Sequence, residues 1–144
     1  MNDPTPTESP TSDTSKYEAD VQAAIEECRT HLVNKGFDPP SVFVIEALEM
    51  TIVAMPPSVE ASDRLTRMIS KKENADIQGY VTTFAAETVF WVKGQPTPGP
   101  AGAIKYLKEV RAKSWLKANL FGVIAEQVQD QMEALRGNAQ TKKL

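Results

Sequence analysis

The stretch from Asp38 to Met55, DPPSVFVIEALEMTIVAM, constrains the fold more than any other part of the chain. Its Val, Ile and Phe content favours a strand. Two features favour a helix instead. Asp38 followed by Pro39 has the pattern of an N-cap and a first helical residue. Glu46 and Glu49, three apart, project to one side with Val42 and Val53, which leaves Phe43, Ile45, Ala47, Leu48, Met50, Ile52 and Met55 around the rest. A helix that is apolar over most of its circumference belongs in the middle of a fold, or forms half of a dimer interface. The expectation is an all-α chain: a single compact bundle of five to six helices around this central apolar helix, which Pro56 and Pro57 end.

The flanking segments carry clearer helical periods. From about Lys16 to Lys35, Tyr17, Val21, Ala24, Ile25, Cys28 and Leu32 recur every three or four residues and share one face. Ser15 and Glu18 have capping-box spacing, Gly36 suits the position just past the helix, and Phe37 can fold back on the last turn. A further helix spans about Val59 to Glu73, with Leu65, Met68 and Ile69 inward and Arg64, Arg67 and Lys71 outward. The next runs from Asp76 to Gly94, with Ile77, Tyr80, Val81, Phe84, Ala85, Thr88, Trp91 and Val92 on a 3.6-residue stripe. Gln95 to Gly102, QPTPGPAG, is a loop by its Pro and Gly content. The remainder is helical from about Ala101 to Arg136 with a break near Ser114, closed by Gly137. No β-hairpin signal stands out.

A chain of 144 residues favours one domain. Residues 1–15 hold three prolines, seven Ser/Thr and no apolar side chain after Met1, so they read as a disordered tail. Residues 16–137 form the domain, and 138–144 fray. The single cysteine excludes an intramolecular disulfide and points to a reducing compartment. The N-terminus lacks the basic start and apolar run of a secretory signal, and no apolar run approaches the ~20 residues that span a bilayer. The expected location is cytoplasmic, without membrane contact. The net charge of −3 is unevenly spread: residues 1–60 carry eleven acidic and three basic side chains, residues 61–144 eight and thirteen. Such an imbalance either satisfies itself within the fold or steers a charged partner, including a second copy head to tail.

Few constellations carry chemistry. Cys28 and His31 lie three apart, but Cys28 falls on the buried stripe and no third group orients the imidazole. One Cys and one His supply too few ligands for zinc. Glu46 and Glu49 form an ExxE pair on the apolar helix. A metal or nucleotide site there needs a second, facing acidic pair, and Asp130 with Glu133, or Glu26 with Glu27, point off the inward faces. Neither cofactor nor metal is expected, and no motif points to a protein family. Lys105, Lys108, Arg111, Lys113 and Lys117, interleaved with Tyr106 and Trp115, could join Arg64, Arg67 and Lys71 in a nucleic-acid face, against an acidic pI of about 5.2. Phe90 lies off the stripe beside Trp91 and ahead of the loop with Gln95 and Thr97. It is either sandwiched in a thick core or exposed for a partner. The functional expectation is a non-enzymatic protein–protein interaction module (adaptor, inhibitor, assembly factor or small subunit), homo-oligomeric in one version, binding through Phe90, Trp91, Gln95 and Thr97. The alternatives are a nucleic-acid accessory protein using Arg64, Arg67, Lys71, Lys105, Lys108, Arg111 and Lys117, and a metal- or nucleotide-dependent enzyme centred on Glu46 and Glu49.

Overall fold

The computed structural model describes residues 16–71 and 77–143. The expected tail at 1–15, the helix start at Asp76 and the last residue, Leu144, lie outside them. In chain order the elements are α1 (Ala19–Asn34), β1 (Phe43–Ala47), β2 (Met50–Ala54), α2 (Val59–Lys71), α3 (Ile77–Thr88), β3 (Val89–Val92), α4 (Pro100–Lys113), a 3₁₀ turn (Trp115–Lys117) and α5 (Leu120–Lys143). The strands form one antiparallel sheet in the order β1-β2-β3. The fold is therefore mixed α/β, and the all-α bundle expected from the sequence is overturned.

The stretch read as the central helix is the β1–β2 hairpin. Phe43 pairs with Ala54, Ile45 with Ile52 and Ala47 with Met50. Phe43, Ile45, Ala47, Ile52 and Ala54 point to one side of the sheet, into a core built with Ala61 and Leu65 of α2, Val81, Phe84 and Ala85 of α3, Ala103 and Leu107 of α4, and Leu120, Phe121, Ile124 and Val128 of α5. Val53, with Val42 just ahead of β1, points to the other side, against Val21, Ala24, Ile25, Cys28 and Leu32 of α1, with Val44 and Met55 at the margin. The second face is covered at Val42 and Val53 and opens toward the turn, where Val44 and Thr51 are half-buried and Glu46 is exposed, so Glu46 and Thr51 alone interrupt an otherwise apolar run and a clean polar alternation is missing from the sequence. The hairpin turn hides itself as well. Leu48 and Glu49 both adopt positive φ, 52° and 69°. That is the pattern of a two-residue hairpin turn that usually shows as Asn-Gly or Asp-Gly. Asp38-Pro39, expected to start a helix, is a cis peptide in the connection leading to β1.

The helix expected from Asp76 to Gly94 stops at Thr88, and Val89–Val92 continue as β3. β3 carries a bulge. Val53 pairs with Trp91 and Ala54 with Val89, so Phe90 is the extra residue. The bulge sends both Phe90 and Trp91 to the α1 side, while Val89 and Val92 face the other core. Phe90 is thus a core residue on the face that α1 covers.

α1 ends as its sequence predicts. The Phe37 N–H donates to the Leu32 carbonyl at 3.0 Å, the Gly36 N–H to that of Val33 at 3.0 Å, and Gly36 has φ of +91°. This is a complete Schellman motif. At its other end the residue preceding the helix is Glu18, with no side-chain cap. Ser114 is extended and breaks the C-terminal helical region where expected. α5 runs on through Gly137 to Lys143, so Gly137 does not close it.

Glu49 offers a direct test of the hairpin. A non-glycine residue in the left-handed region costs about 1 kcal/mol. Glu49→Gly is expected to raise the midpoint of thermal unfolding by about 3 °C. A lower midpoint in a calorimetric or circular-dichroism melt would contradict this turn.

Candidate contact surface

α4 begins at Pro100 after Gly99, buries Ala103 and Leu107, and packs against β3 and α3. Ser114, with φ −144° and ψ 110°, swings the chain out of the helix, and the next three residues close a single 3₁₀ turn. Within it the Lys117 N–H donates to the Ser114 carbonyl at 2.9 Å and the Ala118 N–H to that of Trp115 at 3.1 Å. Arg111 holds the turn from the α4 side. Its Nε donates to the Ala118 carbonyl at 2.8 Å, and its guanidinium lies 5.6 Å from the centre of the Phe121 ring. Leu120 and Phe121, fully buried, anchor the far side.

The residues left at the tip are Trp115, 84% exposed, and Leu116, 69% exposed. An exposed Leu alone is ordinary, but adjacent exposed Trp and Leu side chains on a pinned turn form a compact apolar knob. Full burial of a Trp is worth roughly 4 kcal/mol before ordering costs. Lys113 is exposed beside the knob and Lys117 is half-buried in the turn itself. From Thr88 to Ala125 the chain holds six basic side chains and one acidic, Glu109, within a protein of net charge −3.

The residues singled out from sequence fall in different places. Phe90 is only 8% exposed and its ring lies 5.5 Å from that of His31, beneath α1. Trp91 is half-buried at the margin of the same core. Gln95 is a scaffold residue. Its Oε1 accepts the Val92 N–H at 2.7 Å, and its Nε2 donates to the carbonyls of Gly99, at 3.1 Å, and Thr97. Gly102 completes this loop, because a Cβ there would overlap the Thr97 carbonyl oxygen. Of the four, only Thr97 is exposed. Sequence reasoning assigned Trp115 only to the basic stretch and passed over Leu116. The signal available was a Trp-Leu pair directly after the helix break, between two lysines, with no acidic residue from Val110 to Ala125.

The basic set is also divided. Arg64 pairs with Glu60 at 3.1 Å and its guanidinium lies over the Tyr80 ring at 5.9 Å. Arg67 is exposed on α2, and the side chain of Lys71 lies outside those described. Lys105 and Lys108 are exposed on α4, while Arg111 is turned to the Ala118 carbonyl. Lys93 pairs with Glu18 and, at 2.9 Å, with Asp20 at the start of α1. The hydrogen bonds hold the Asp20 carboxyl below its ordinary range and the Lys93 ammonium above its own.

The helical ExxE pair does not exist. Glu46 lies on β1, where its Oε2 accepts the Thr51 hydroxyl at 3.0 Å, and Glu49 lies in the hairpin turn. Among the described residues no group of three or more His, Cys, Asp or Glu is placed to hold a metal ion. Among the described residues no helix is long and apolar enough to cross a membrane. Compared with known proteins, the chain matches no family model, no curated relative and no solved structure.

Cys28 is fully buried in the α1-side core, and desolvation pushes its thiol up to about 12. At pH 8 it is a neutral thiol in the folded chain, while in the unfolded chain it ionises near its ordinary value. A disulfide reagent at pH 8 is expected to modify the native chain at least ~100-fold more slowly than the urea-unfolded chain. Equal rates would show that the α1 layer opens freely.

Proposed function

We propose that the protein is a non-enzymatic interaction module that engages a protein partner through the turn between α4 and α5. One observation carries this reading: Trp115 and Leu116 stand exposed together on a turn that Arg111 and the buried Leu120 and Phe121 hold in place. Trp is the residue most enriched among the few that dominate binding energy at protein interfaces. Its display on a pre-formed turn lowers the entropy lost on binding. The surrounding lysines steer a partner whose docking surface is acidic. A nucleic-acid contact is the second reading, favoured by the excess of basic side chains between Thr88 and Ala125.

The test uses the full chain as bait in an extract of its native host, beside Trp115→Ala and Leu116→Ala. Both substitutions are at exposed positions, and melts should show folding unchanged. Loss of a hot-spot Trp is expected to weaken capture at least ~30-fold. A protein retained equally by wild type and both variants removes the turn from the interface. For the second reading, duplex binding that falls steeply with added salt and requires Lys113 and Lys117 would replace the protein partner.

A further inference from the structure

We propose that the partner of the Trp115–Leu116 turn is a second copy of this chain, which receives the turn on its own acidic hairpin–α5 face. The proposal rests on the functional reading above and names the occupant of the same site.

The acceptor is assembled from two distant parts of the sequence. Gln127 of α5 donates from Nε2 to the Glu46 carbonyl of β1, which fastens the end of the hairpin to the middle of α5. Around this junction Glu49 is exposed in the hairpin turn, and Glu126 and Asp130 are exposed within one turn of Gln127. No basic residue occurs from Gly36 to Asp63 or from Leu120 to Leu135. Leu48, Met50 and Met132 pack half-buried on the edge of the core below, so each keeps apolar surface toward solvent. Methionine adapts its shape readily to an incoming side chain.

The two surfaces complement one another in kind and in sign. The turn presents two exposed apolar side chains among lysines, and the face presents part-covered apolar side chains among carboxylates. Turn-to-turn pairing would bring Lys113 and Lys117 of both copies together, so a symmetric contact through the turn is disfavoured by like charge. Turn-to-face pairing closes a two-fold dimer where both turns dock reciprocally; where one turn docks it leaves a free turn at one end and a free face at the other, and builds rings or open chains of copies.

The experiment is sedimentation velocity of the full chain across a concentration series at low and moderate salt. Mass that rises with concentration and falls with salt is expected, with Trp115→Ala and Leu116→Ala each weakening association at least ~10-fold. Two charge-reversed variants, Lys113→Glu/Lys117→Glu and Glu126→Lys/Asp130→Lys, should each sediment as monomers, because turn and face then carry the same sign within each variant. Mixed together they should associate again. Melts of each variant establish folding, and Glu49→Lys serves as a second acceptor variant. A wild type that stays monomeric throughout overturns the proposal, as does association that survives all these substitutions. A monomer that binds vesicles of mixed neutral and anionic phospholipid, or a DNA duplex, through Trp115 assigns the turn to another occupant and equally overturns it. If the chain is monomeric yet host-protein capture still depends on Trp115, self-association alone fails. If capture is also indifferent to Trp115, the interaction reading fails with it.

Discussion

A three-stranded sheet covered on both faces is the constraint on which the rest of this structure depends. Helices lie against both faces of the β1–β2 hairpin, along the α5 side and over the Val53 end of the α1 side, so the same short segments must supply side chains to two cores. Phe43, Ile45 and Ile52 serve the four-helix side, and Val42 and Val53 serve the side closed by α1. The two sides are unequal. α2, α3, α4 and α5 share one face, whereas α1 covers the other, which is why Val44, Met55 and Trp91 remain half-buried at its margins. The bulge at Phe90 repairs part of this inequality by committing two consecutive aromatics to the α1 side, where strict alternation would supply one.

The same constraint decided what could be read from the sequence. α1 was legible because its apolar residues lie on one stripe, its stop is a glycine in a left-handed conformation, and nothing beyond the helix alters that local logic. The hairpin was not. A strand buried on both faces and a helix buried all round produce nearly the same run of apolar residues, and length alone separates them poorly. The Leu48-Glu49 turn removed the remaining clue, since neither residue advertises positive φ. β3 was lost differently: the helical stripe of α3 continues without interruption into Val89–Val92, and only the pairing with β2 ends the helix there. Tertiary context outweighed local pattern in both places.

The exposed Trp115–Leu116 turn was illegible for a complementary reason. Periodicity reports which residues an element turns inward, and it ranked Phe90 as the aromatic out of place. Exposure, however, depends on what the neighbouring elements cover. Phe90 is covered because the chain bulges beneath α1, and Trp115 is bare because Ser114 carries the chain clear of the core. Charge was more legible than packing. The opposition between an acidic first part and a basic later part is present in the sequence, and folding fastens the end of the hairpin, which carries Glu49, to the acidic middle of α5.

Two glutamines give the sheet a property that its strands alone would lack. Gln95 occupies the Val92 N–H on the outer side of β3, and Gln127 occupies the Glu46 carbonyl of β1, so each border strand has a backbone group already engaged by a side chain of its own chain. Segments as rich in Val, Ile and Phe as β1 and β2 are prone to cross-β stacking when their borders stay open. With amide side chains stationed at both borders, a neighbouring molecule must displace a formed hydrogen bond before it can extend the ladder. Growth of amyloid-like sheets is thereby discouraged.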